Sequence, residues 1–255
     1  MQALTLPAGR GLRWLIEGFA IFQHKPALLS FLVLGYLLST AVVSAVPVIG
    51  QWASVLLVPA FSVSLMNACR LIHRKEELSP QVLFSGFHRN LQTLFALGII
   101  YVLVMLLVLG LSTLFGDGMS LRMPAMNEAL DRGETPGPVS MSFSPLAIVL
   151  LIPVNMVFHF APVLVAWHDM SAGKSLFFSL VACLRNWRPL LLYLLSLLAV
   201  ALAGMFVLIL LGSLFGEWLL ATMAVVAISL VLLPTWYASF YISYRDIFVG
   251  QQDAL

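Results

Sequence analysis

Residues 83–117 read LFSGFHRNLQTLFALGIIYVLVMLLVLGLSTLFGD, and residues 177–217 read FFSLVACLRNWRPLLLYLLSLLAVALAGMFVLILLGSLFGE. Both set an Arg-Asn pair (Arg89-Asn90, Arg185-Asn186) ahead of a long apolar run. The runs close on Leu114-Phe115-Gly116-Asp117 and Leu214-Phe215-Gly216-Glu217. The offset is 96 residues at the pair and 100 at the closing tetrad. Four extra residues are about one helical turn, so the insertion roughly keeps the helix face. A fainter copy runs from Leu12 through His24-Lys25-Pro26 into the apolar stretch that begins at Ala27. A repeat of this kind decides architecture before any residue-level chemistry does.

The solvent around the repeat follows from composition. The 255 residues are 61% hydrophobic and 9% charged, with a mean hydropathy of +1.02. A water-soluble surface needs more polar cover than that, so the expected solvent is a bilayer. Six runs have the length that a hydrocarbon core demands, about 18–27 residues. They are Ala27–Val46, Trp52–Cys69, Leu91–Phe115, Pro145–Trp167, Pro189–Phe215 and Trp218–Tyr244, and none contains Asp, Glu, Lys or Arg. The expected fold is therefore all-α and polytopic, with six transmembrane helices in one integral membrane domain, 1–255.

Three parallel hairpin repeats are expected at approximately 8–75, 79–168 and 171–246, related by an axis near the membrane normal. Each opens with an interfacial amphipathic helix. In the first, Leu12, Leu15, Ile16 and Phe19 recur at helical spacing opposite Arg10, Arg13 and Glu17, with Trp14 and Phe22 beside them. In the second, Ser79-Pro80 supplies an N-cap and first-turn proline ahead of Leu83, Phe84 and Phe87. The third starts at Ser171 and carries Phe177, Leu180, Val181 and Leu184. A cleaved leader at Val43-Ser44-Ala45 fits less well, because the charged region before the first run is too long.

Lysine and arginine set the orientation. Arg10, Arg13, Lys25, Arg70, Arg74, Lys75, Arg89, Lys174, Arg185, Arg188 and Arg245 fall on one side, and only Arg122 and Arg132 on the other. Both termini are thus expected in the cytoplasm. Of these cations, Arg10, Arg13, Lys25, Arg74, Lys75, Arg89, Arg185 and Arg188 are expected to face anionic lipid headgroups. The long outer loop, 116–144, is acidic and either a solvated connector or a docking site. Cys69 and Cys183 are expected to be packing residues on the reducing side, with no disulfide.

Inside the spans, Asn155 and His159 stand at i and i+4, between Pro153 and Pro162. An ionisable side chain within a bilayer points to a polar site, with His159 as its centre and Asn155 orienting it. The alternative is that both join Asn67 in holding helices together. Pro59, Pro153, Pro162 and Pro234 are expected to kink the inward-running spans. Hydrolase, phosphate-loop and paired-cysteine patterns are missing, so no catalytic residue, metal or cofactor is expected. A basic stripe interleaved with stacking aromatics is also missing, and nucleic acid is not an expected partner.

Pro7, Arg10, Gly11, Trp14, Phe22, Pro26 and the two Arg-Asn positions together resemble a group of small proteobacterial inner-membrane proteins. The three-unit layout is more distantly similar to YciC-type proteins and to the membrane domain attached to some glycerophosphodiester phosphodiesterases. This resemblance implies an inner-membrane location and brings no catalytic residues. The function expected is non-enzymatic handling of a lipid or other small amphiphile, with a polar cavity at Asn155 and His159. The alternative is a membrane-embedded assembly or regulatory subunit that engages a protein partner and has a solid core.

Overall fold

A computed structural model describes residues 3–47, 49–115, 120–122, 140–142, 145–215, 223–224 and 226–249. The described elements are helical apart from one two-stranded antiparallel ribbon, Ser120–Arg122 with Ser140–Ser142. The rest of the acidic segment 116–144 lies outside the described residues, as does the start of the sixth run, 218–222.

The helices are α1 (Arg10–His24), α2 (Pro26–Ser44), α3 (Ile49–His73), a 3-10 helix (Pro80–Phe87) and α4 (Leu91–Phe115). They continue with α5 (Pro145–His159), α6 (Ala161–His168), α7 (Ala172–Arg185), α8 (Trp187–Phe215) and α9 (Leu233–Tyr244). Among the described residues, five helices are long and apolar enough to cross a membrane: Pro26–Ser44, Ile49–His73, Leu91–Leu114, Pro145–His168 and Trp187–Leu211.

Prolines act unequally. α3 runs through Pro59 and α5 through Pro153 without a break. The helix is interrupted at Phe160, two residues before Pro162, and a π-helical stretch, Ile228–Leu232, precedes Pro234. A proline deletes one ladder bond, and a neighbouring group must compensate before the chain bends there. At Phe160 that group is identifiable. The Phe160 amide donates to Ser179 Oγ at 2.9 Å, and the same hydroxyl donates to the Met156 carbonyl at 2.9 Å. A side chain of α7 is thus spliced into the ladder between α5 and α6.

The three short amphipathic segments each lie on a longer helix. The 3-10 helix lies on α3, α7 lies on α5 and α6, and α1 crosses both α9 and α8. Two glycines permit the closest approaches. A Cβ at Gly86 would collide with the Ala60 carbonyl, and one at Gly18 with the backbone of Ser239. On α1 the buried face is Arg10, Gly11, Trp14, Gly18, Ile21 and Phe22, while Leu12, Ile16 and Phe19 stay exposed. The apolar stripe read from the sequence is the exposed face; the face that docks is the one carrying the glycines.

Candidate functional site

The break at Phe160 leaves His159 as the last residue of α5, with its ring edge-on to Phe160 and Phe240 at 4.5 and 4.8 Å between centroids. Its Nε2 is buried and has no hydrogen-bond partner among the described residues. Leaving such an atom unsatisfied costs about 1–3 kcal/mol. Asn155 does not supply the partner: it is exposed, and its Nδ2 donates to the Leu151 carbonyl one turn back at 2.8 Å.

Two cavities flank this point. One, of about 550 Å³, lies between α5, α7, α8 and α9, with walls of Leu151, Met156, Tyr193, Leu194 and Leu197. The other, of about 460 Å³, lies between α3, α4, α5 and α9, with walls of Val58, Leu97, Tyr101, Phe158 and Phe240. Asn155, His159 and Trp236 line both and form the partition between them. Each volume is in the range of small-molecule sites, about 300–1,000 Å³. The walls differ from the polar cavity expected from the sequence. Every other side chain on those helix faces is aliphatic or aromatic, save Ser62, Cys183 and the Tyr101 and Tyr193 hydroxyls. Tyr193 OH is engaged with Ser239 Oγ at 2.8 Å. Cys183 is buried, and burial pushes its thiol up to about 12, so it stays protonated and poorly nucleophilic. Both cysteines are free.

Asn67 is not part of this site. Its Nδ2 donates to Ser85 Oγ at 2.9 Å, and its Oδ1 accepts from Trp167 Nε1 at 2.8 Å. It lines a separate, smaller pocket with Arg70 and Arg89. The sequence spacing could not separate these positions, because which spans neighbour each other is a tertiary property.

The expected headgroup-facing cations divide. Arg13, Arg74, Lys75, Arg89, Arg185 and Arg188 are exposed. Lys25 is half-buried, and its Nζ donates to the Glu76 carbonyl at 3.4 Å. Arg10 does not face outward. It is 9% exposed, with Nε 2.5 Å from Asp246 Oδ2 and Nη1 2.9 Å from Glu17 Oε1. Burial alone would lower the Arg10 pKa, but hydrogen bonds and charge from Asp246 and Glu17 outweigh it and raise the value.

The same Asp246 oxygen accepts from Trp14 Nε1 at 2.9 Å, and Arg245 joins Glu17 and Asp246 at 3.0 and 2.8 Å. Sequence reading missed Asp246, which lies 236 residues from its partner. The asparagines of the Arg-Asn pairs make tertiary contacts that their spacing does not reveal. Asn186 donates to the Leu4 carbonyl at 2.8 Å and accepts from the Leu6 amide at 3.0 Å. Asn90, at φ 52°, donates to Asp169 at 2.6 Å and to the Val165 carbonyl at 3.0 Å. His168 contacts Tyr244 OH at 2.5 Å.

A probable inner membrane protein of Burkholderia thailandensis is 36% identical over 261 aligned positions, which cover 99% of this chain and 96% of the relative. No protein-family model matches the chain, and no solved structure does.

Proposed function

The chain belongs to the family of this probable inner membrane protein, and from that premise we propose that it handles a lipid or other small amphiphile within the inner membrane, without catalysing its chemistry. The observation that carries the reading is the pair of apolar cavities meeting at His159, whose buried Nε2 has no partner among the described residues. Apolar arms of a ligand would lie in the cavities, and a hydroxyl or carbonyl at their junction would satisfy the imidazole. A charged group there is disfavoured, because neither cavity is lined by an ionic side chain to pair with it.

Six crossings, with both termini on the cytoplasmic side, belong to this proposal. The Leu4 amide donates to the Ile247 carbonyl at 2.9 Å, which sets these two positions side by side. Five crossings would leave Leu4 and Ile247 on opposite faces; the sixth run expected from the sequence, Trp218–Tyr244, would return them to one. The cation imbalance then assigns that face to the cytoplasm, where Arg13, Arg74, Lys75, Arg185 and Arg188 would meet anionic headgroups.

The three-unit reading draws support from the packing order. Each interfacial segment lies on the inward span of the unit before it, and α1 closes the ring on α9. The distant likeness to YciC-type proteins and to the phosphodiesterase membrane domain is carried by this layout alone.

Native mass spectrometry after gentle extraction tests the function. A lipid or small molecule should be retained by the natural protein and lost from the Asn155→Ala/His159→Ala double variant, with expression unchanged. Retention of a stoichiometric second protein and no ligand would favour an assembly or regulatory subunit instead.

A further inference from the structure

One turn before the end of α3, the 3-10 helix and α6 close on a polar pocket of about 90 Å³. Its polar walls are Asn67, Arg70, Ser85, Arg89 and the Trp167 indole. Arg70 is half-buried and its guanidinium carbon stands 4.6 Å from the Trp167 ring centroid. Among the described residues, no carboxylate lies within ion-pair distance of Arg70. A cation drawn partly out of water without a counter-ion is unfavourable, and an anion beside it removes the penalty.

The rest of the pocket is already oriented for one. Trp167 Nε1 donates to Asn67 Oδ1, and Asn67 Nδ2 donates to Ser85 Oγ. Having accepted that bond, the Ser85 hydroxyl keeps its own hydrogen to donate onward. Arg89 adds a second guanidinium. Its only ion pair among the described residues is with Asp169 at 3.8 Å, with both side chains more than half exposed. Such a contact holds little and leaves most of the Arg89 fork free. Asp169 is itself turned to Asn90 Nδ2 at 2.6 Å.

We infer that this pocket binds a phosphate group, held between the forks of Arg70 and Arg89 with the Ser85 hydroxyl as a third donor. Two planar guanidiniums and a hydroxyl suit a tetrahedral oxyanion, which accepts several charge-assisted hydrogen bonds at once. The phosphate is either that of a lipid headgroup at the membrane edge or that of a free phosphate in the adjoining water; the donors are the same for both. This inference does not rest on the apolar cavities, which have different walls.

The test uses the full-length protein. Inorganic phosphate is titrated onto it in neutral detergent, and phosphatidic acid is offered in phosphatidylcholine nanodiscs, with phosphatidylcholine alone as the blank. Saturable binding is expected, weakened about tenfold or more by Arg89→Gln and by Arg70→Gln, the loss of one charge-assisted contact. Ser85→Ala should weaken it less. Binding of inorganic phosphate identifies a free phosphate as sufficient; binding confined to phosphatidic acid, with the same dependence on the variants, identifies the headgroup. If Arg70→Gln fails to fold, exposed Arg89 and half-buried Ser85 carry the comparison. No saturable binding of either ligand, or binding indifferent to Arg89→Gln and Ser85→Ala, overturns the site.

Discussion

Asp246 shows what a single residue decides. Its carboxylate accepts from the Arg10 guanidinium and the Trp14 indole, and its neighbour Arg245 contacts both it and Glu17. Removing one member of a buried pair leaves the other charge stranded, at a cost of about 3–5 kcal/mol. Asp246→Ala should therefore lower the unfolding midpoint of the detergent-solubilised protein, and adding Arg10→Ala should recover part of the loss. A midpoint that does not move on Asp246→Ala would show the network to be incidental. At the same scale, the spacing of Asn155 and His159 was legible from an i, i+4 count. That Asn155 would bond its own helix while His159 went unpartnered was not, because hydrogen-bond partners are chosen in three dimensions.

Among the elements, α1 was legible as an amphipathic helix but not as a wedge. Its hydrophobic stripe draws attention to Leu12, Ile16 and Phe19, which the fold leaves exposed. The docking face is marked instead by what it lacks, a Cβ at Gly18 where α1 meets Ser239 of α9. Overpacking such a contact costs about 1–3 kcal/mol. Gly18→Ala should loosen α1, read as faster amide exchange across residues 10–24. Gly173→Ala, at a position with open space around it, serves as the control. Equal exchange in the two variants would remove the wedge from the account. The second amphipathic segment also differs from expectation in kind. Its Ser79 cap and Pro80 start are present, but the residues wind as a 3-10 helix, whose longer rise stretches eight residues further than α-helical winding would.

For the whole molecule, the contact of Leu4 with Ile247 and the hold of Asn186 on Leu4 and Leu6 bring residues 4–6 and 247 to one end of the bundle. Reporter fusions at the two termini should accordingly report the same compartment, and the proposed orientation makes it the cytoplasm. A reporter that is active only outside, at either end, would refute that orientation. α1 packs against both α8 and α9. Removing α1 would take away Trp14, the largest fully buried side chain among the described residues, and with it the Arg10 and Glu17 partners of Asp246 and Arg245.

Hydropathy and the length of the runs were enough to declare a helical membrane protein, because the bilayer imposes one requirement on every spanning segment regardless of its neighbours. Spacing within a helix likewise placed Asn155 beside His159 and Ser79 at a cap, since both are local. The tertiary structure alone decided which charges are buried and where cavities open. It also showed that Asn67 belongs with Arg70 and Arg89, not with His159. Those outcomes depend on contacts between segments up to 236 residues apart. An apolar helix of nearly uniform face carries almost no information about which neighbour it will choose.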